Sequence, residues 1–113
     1  MDAKDARSAN GQQAAVDYLK EHGLRVLDRT WRCPDGQLDI VAVEGSTFVV
    51  CELRTRGSAS LQVIGQARMK GLRRLGAAWL TAHGVRFDQM RIDVVGLVYE
   101  GGGFIIEHVR GVG

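Results

Sequence analysis

Apolar residues recur at two periods along this chain, and the period changes mark out its elements. Gln12, Ala15, Val16 and Leu19 fall at i, i+3, i+4 and i+7. That spacing predicts a helix from Gln12 to about Gly23. Strand-like stretches follow at 24–33, 37–44 and 47–54. The turn signals Pro34-Asp35-Gly36 and Glu44-Gly45-Ser46 separate them, which predicts an antiparallel meander. A second helix is expected over 62–83, with Ile64, Leu72, Leu75, Trp79 and Ala82 as its apolar stripe and Gly84 as its stop. Two Val/Ile-rich strands, 91–99 and 104–109, close the chain around Gly101-Gly102-Gly103. The order α-β-β-β-α-β-β predicts an α/β fold, a mixed sheet with helices packed on it. At 113 residues the chain has room for one domain, assigned to 11–113, behind a polar N-terminus (1–10) expected to be flexible.

Composition narrows the function classes. No stretch reaches the roughly 18 apolar residues of a membrane span. The polar start MDAKDARSANG lacks the apolar core of a secretion signal, which predicts a cytoplasmic protein. Cys33 and Cys51 form neither a metal-ligand spacing nor a disulfide framework and read as reduced thiols. His22, His83 and His108 show no ligand spacing. Trp31 and Trp79 read as core residues.

Charge changes the picture more. The formal net charge is only +2, yet seven basic residues and no acid lie between Leu53 and Phe87. The remainder holds eight basic residues against thirteen acidic ones. Such segregation points to a polyanion partner. Lys70, Arg73, Arg74 and Gln66 share the polar face of the second helix, and Arg56 and Ser58 lie in the basic loop before it. Together they are candidates for sequence-independent contact with phosphates. Arg68 falls on the apolar side near the helix start, where it either snorkels past the edge of the core or pairs with an acid of the Asp39/Glu52 site.

Two acids stand inside apolar strand sequence. Alternation places Gln37, Asp39 and Val41 on one face of the second strand, and Phe48, Val50, Glu52 and Arg54 on one face of the third. A carboxylate there needs a cation or a metal. Two readings follow: a structural ion pair with Arg54, or a hard-oxygen site for Mg²⁺. Asp93, in Arg91-Ile92-Asp93, reads as a structural acid paired with Arg91 or with an arginine of the first strand.

Asp39, followed by Glu52-Leu53-Arg54, resembles the D…(D/E)xK signature of restriction-endonuclease-like nucleases. The context resembles the YraN family of small bacterial proteins, with matching runs at Gly11-Gln12, 29–32, 36–42 and 49–56. The resemblance covers about residues 11–112. It implies a restriction-endonuclease-like (PD-(D/E)xK) fold. By it, Asp39, Glu52 and the carbonyl of Leu53 match ligands of Mg²⁺, for which Mn²⁺ can substitute, in phosphodiester hydrolysis. It also exposes three departures. Gln12 stands where the family has a helix acid, Gln37 where it has a second strand acid, and Arg54 where it has a lysine. The two glutamines remove negative charge and weaken cation affinity. Arg54 stays protonated and cannot act as a base, yet it can hold a phosphate oxygen. The expectation is a nucleic-acid-binding protein, with DNA favoured over RNA, whose nuclease centre (Asp39, Glu52, Arg54, Gln12, Gln37) is weakened or lost. DNA of branched form suits a chain with no second domain to read bases. The alternative is a protein-interaction module on the same scaffold. A homodimer is compatible with the small size.

Overall fold

The computed structural model describes residues 5–55 and 64–112. Its elements are α1 (Ala9–Glu21), β1 (Arg25–Cys33), β2 (Gly36–Glu44), β3 (Thr47–Thr55), α2 (Gln66–His83), β4 (Gln89–Glu100) and β5 (Gly103–Val109). The strands form one mixed sheet in the order β1-β2-β3-β4-β5. β1, β2 and β3 pair antiparallel as a meander. β4 lies parallel to β3, so the chain crosses over through α2, and β5 returns antiparallel.

One helix covers each face. Ala15, Val16 and Leu19 of α1 pack on Ile40, Ala42, Val49, Cys51, Leu53, Val95 and Leu97. Leu72, Leu75 and Trp79 of α2 pack on Leu38, Val41, Phe48, Val50, Ile92 and Val94. The central strands are therefore apolar on both sides, as strands roofed on both faces must be. Both cysteines are free thiols, and full burial pushes the Cys51 thiol well up. Trp79 is buried and Trp31 packs at the margin of the α2-side core. The expected stripe of α2 holds at Leu72, Leu75 and Trp79 but not at Ala82, which is exposed. The helix also starts at Gln66 rather than at 62: Gly65 is its N-cap, in extended conformation. Gly84 ends it in the left-handed region at φ 63°, as its lack of a Cβ allows.

The N-terminus corrects an expectation. Residues 5–10 are part of the packed structure, not a flexible lead. Ala9 and Asn10 belong to α1, and Ser8 caps it by accepting the Gly11 N–H at 3.1 Å. Ala6 is 1 % exposed and donates its N–H to the Thr55 hydroxyl at 3.3 Å. Asp5–Ser8 thus form a strap from the start of α1 to the end of β3. Gly11 permits it: a Cβ there would stand 2.5 Å from the Asp5 carbonyl oxygen and 2.6 Å from that of Ala6.

Candidate functional site

The β1–β2 hairpin bends away from β3 at one point, and the candidate site sits there. β2 pairs with β3 from Glu44↔Thr47 to Ile40↔Cys51 and no further. Alternation along β2 breaks at the same place. Leu38 and Val41 both face α2, while Ile40 and Ala42 face α1. The single shared face expected for Gln37, Asp39 and Val41 does not survive this break. Across from Asp39, between the pairs Arg29↔Ile40 and Trp31↔Leu38, Thr30 adopts φ 52°. That conformation is strained for a β-branched residue and kinks β1. Gln12 donates its side-chain amide to the Thr30 hydroxyl. Gln12 therefore braces the kink; its amide is spent on β1 rather than on either acid.

Where β2 leaves β3, the Asp39 side chain replaces the missing ladder partner. Its Oδ2 accepts the Leu53 N–H at 2.9 Å. Arg7, delivered by the strap, donates Nε to Oδ1 at 3.1 Å and to Oδ2 at 3.2 Å. The Gln37 amide donates to Oδ1 at 3.4 Å, while its carbonyl accepts the Arg32 Nε at 2.9 Å. One residue along β3 from that N–H, Glu52 points toward α2. Arg68 donates Nε to its Oε1 at 2.7 Å, and Arg54 donates Nε to its Oε2 at 3.3 Å. Asp39 is 6 % exposed and Glu52 4 %, whereas Arg7 and Arg68 are nearly half exposed.

All four carboxylate oxygens thus already accept a hydrogen bond from an arginine. Among the described residues, three guanidinium groups face these two acids. Among the described residues no three His, Cys, Asp or Glu side chains converge as a metal set. Mg²⁺ wants about six oxygens in near-octahedral array. As arranged, these side chains do not fit a divalent cation. Leu53 contributes its N–H to Asp39, and Glu52 alone meets Arg54 and Arg68.

The structure therefore brings together Gln37, Asp39, Glu52, Leu53, Arg54 and Arg68. Lys70, Arg73 and Arg74 stand exposed along α2, which also carries Arg68, and none of them is ion-paired among the described residues. Gln66 is exposed at the start of that helix. Arg56 and Ser58 lie outside the described residues. Sequence reasoning missed Arg7. The available signal was Ser8, a good N-cap residue just ahead of the helical stretch, which places Arg7 in an ordered turn.

A second acid network lies on the other face. Asp93 pairs in register with Cys51, so it points toward α1. Its carboxylate accepts Arg91 Nε at 2.8 Å and Nη2 at 3.0 Å, His108 Nε2 at 2.8 Å and the Gly111 N–H at 2.9 Å. Burial pushes this carboxyl up. The bonds from His108, Arg91 and Gly111 outweigh it and hold the acid below its ordinary value. Arg91 also bonds Glu44 at 2.8 Å, which holds Glu44 low as well.

The model of the uncharacterised protein family UPF0102, which is the YraN family, matches residues 11–97. The chain belongs to this family. A UPF0102 protein of Arthrobacter sp. (strain FB24) is 40 % identical over the full length of both chains. That of Beutenbergia cavernae is 44 % identical, again over the whole of both. One from Kineococcus radiotolerans is 45 % identical over 97 % of this chain and 95 % of its own. Among solved structures, Pyrococcus furiosus SfsA in complex with Ca²⁺ superposes with a TM-score of 0.44 at 14 % identity. It covers 94 % of this chain, which spans only 65 % of that protein, and a likeness of this size carries no argument. No helix among the described residues is long and apolar enough to cross a membrane.

Proposed function

We propose that this UPF0102 protein binds nucleic acid through its phosphate backbone, on a restriction-endonuclease-like scaffold whose acid pair is closed by arginines. DNA is the favoured substrate, with branched DNA the form to test first. The observation that carries this reading is the occupancy of the acids. Arg54 and Arg68 fill the space at Glu52, and Arg7 fills that at Asp39. A centre built to cleave keeps its carboxylate oxygens for a metal ion. This one spends them on cations that also bind phosphate well. Lys70, Arg73 and Arg74 extend the positive surface along α2. The resemblance in sequence to D…(D/E)xK nucleases supplies the link to DNA.

The test is direct. Fluorescently labelled duplex, single-stranded and four-way-junction DNA are titrated by anisotropy at low salt and with EDTA. Binding should weaken steeply as salt rises. Failure of all three to bind sinks the proposal. A cleavage assay with Mg²⁺ and Mn²⁺, beside an Asp39→Ala/Glu52→Ala control, should show little or no control-sensitive activity. Arg54→Lys should raise any such activity.

A further inference from the structure

The sheet has two edge strands, β1 and β5, and they are built differently. β1 carries the features that keep an edge from pairing. Its register shifts between Val26 and Asp28, Thr30 kinks it, and Arg25, Asp28, Arg29 and Arg32 lie along it. β5 has neither bulge nor kink. It pairs with β4 without a break from Glu100↔Gly103 to Val94↔Val109, and its run Phe104-Ile105-Ile106 holds no charge and no proline. His108 turns inward to Asp93, its side chain 1 % exposed, which leaves Glu107 as the exposed charge of the strand. Among the described residues, the exposed large hydrophobics include Tyr99 at 38 % and Ile105 at 46 %, both on the β4–β5 hairpin.

We propose that β5 is the joint of a symmetric dimer: it pairs antiparallel with β5 of a second copy of this chain, and the two sheets become one. A flat apolar edge accepts an extended strand through its backbone. Self-complementarity singles out a second copy as that strand, because a two-fold axis lays the same residues against each other. The axis can pass through Ile105, Ile106 or Glu107. At Glu107 it would oppose two carboxylates, which is unfavourable. At Ile106 it would set Ile105 against the carboxylate of Glu107 from the other copy. At Ile105 it sets Ile105 against itself, Phe104 against Ile106, and Glu107 against Gly103. Apolar side chains then meet apolar ones, and neither acid meets an acid. The same register carries the Arg110 end of each copy to the Glu100 end of the other, and both residues are exposed.

The two faces of the strand leave room for this joint. Phe104 and Ile106 point to the α1 side, where they pack at the margin of that core. Ile105 points to the other side. There α2 packs on residues of β2, β3 and β4, and Val109 at the far end of β5 packs beside them. Ile105 lies outside that cover, which is why it is nearly half exposed. Antiparallel pairing within one sheet puts the two-fold axis perpendicular to the sheet, so like faces stay together. Both α2 helices therefore stand on one side of the dimer, and the Lys70, Arg73 and Arg74 faces of the two copies with them.

Analytical ultracentrifugation of the full chain, from low to high micromolar concentration and without nucleic acid, tests the joint. Wild type should pass from monomer to dimer across that range. Ile105→Lys and Ile105→Glu, changes at an exposed position, should each weaken the dimer by at least about tenfold, since each sets like charges on the axis. Mixed in equal amounts, the two variants should recover a heterodimer, because residue 105 then faces its opposite charge. That recovery also requires both variants to be folded, and far-UV circular dichroism matching wild type checks the same point for each alone. Wild type that stays monomeric throughout overturns the proposal and leaves the edge to an extended segment of another protein. A dimer indifferent to both variants overturns it too, since the contact then lies elsewhere. Folded variants that stay monomeric when mixed overturn the Ile105 axis. None of these outcomes bears on the nucleic-acid reading, whose own test uses DNA.

Discussion

Glu52 and Asp93 sit one register step apart on neighbouring parallel strands and face opposite helices. Both are buried, and both are paired with arginine. Their surroundings differ in kind. Asp93 is 0 % exposed, and its partners are fixed. Arg91 lies two residues back on its own strand, Gly111 offers a backbone N–H, and the His108 side chain is itself 1 % exposed. Glu52 instead takes one cation from a helix across the sheet, Arg68, which is 46 % exposed, and another from two residues along its own strand, Arg54, which at 24 % is as exposed as Arg91. Burial of the acid does not separate the two sites. Their remaining partners do: a buried imidazole and a backbone N–H at Asp93, a half-exposed arginine of α2 at Glu52.

The largest expected effect breaks the structural side of that comparison. Asp93→Ala leaves Arg91 and the Gly111 N–H without their acceptor and should cost about 3–5 kcal/mol of unfolding free energy by urea titration. An equal loss from Glu52→Gln would erase the distinction. The same acid predicts a pH limb. Because Asp93 is held below its ordinary value of 3.8 when folded, it adds stability above that pH. The contribution is lost as pH falls through the folded pKa. Asp93→Asn should flatten the acid limb of stability measured between neutral pH and that region.

On the binding side, replacing Lys70, Arg73 and Arg74 together by Gln should lower duplex affinity by roughly 10²-fold. It should cut the salt slope by about three and leave the melt unchanged. A smaller effect sharpens the role of the strap. Gly11→Ala forces its methyl against the Asp5 and Ala6 carbonyls and should cost about 1–3 kcal/mol. It should also loosen the Arg7–Asp39 pair that the strap delivers. Least of all, Glu52→Gln should change unfolding free energy by under about 1 kcal/mol, since its partners are exposed enough to rehydrate.

Much of this was legible beforehand. The meander, both helices and the two final strands follow from apolar spacing and turn residues. Asp39 and Glu52 announced themselves as acids in Val/Ile-rich strands, and Arg68 as a cation on an apolar stripe. Asp93 takes Arg91, the nearer of its two expected partners. Other features had no periodic signature. Arg7 reaches Asp39 because a four-residue strap folds back over Gly11, which is a matter of one missing Cβ. Gln12 looked like a site residue by its place on α1, yet the strained Thr30 takes its amide. The break in alternation at Asp39 depends on where β2 stops pairing, and no local pattern records that. Ala82 fits the helical stripe but is exposed.

The sequence by itself determined the kind and order of the elements, and that a +2 chain carries an acid-free basic block beside two semi-buried acids. Those are properties of neighbours along the chain, where backbone geometry sets a period. Only the tertiary structure decided which cation meets which acid. Arg7 and Asp39 are 32 residues apart, and Arg68 and Glu52 are 16. Whether a buried carboxylate is held for a metal or by an arginine depends on distances of about 3 Å between such segments. Those distances exist only once the hairpin has kinked and α2 has settled on the sheet.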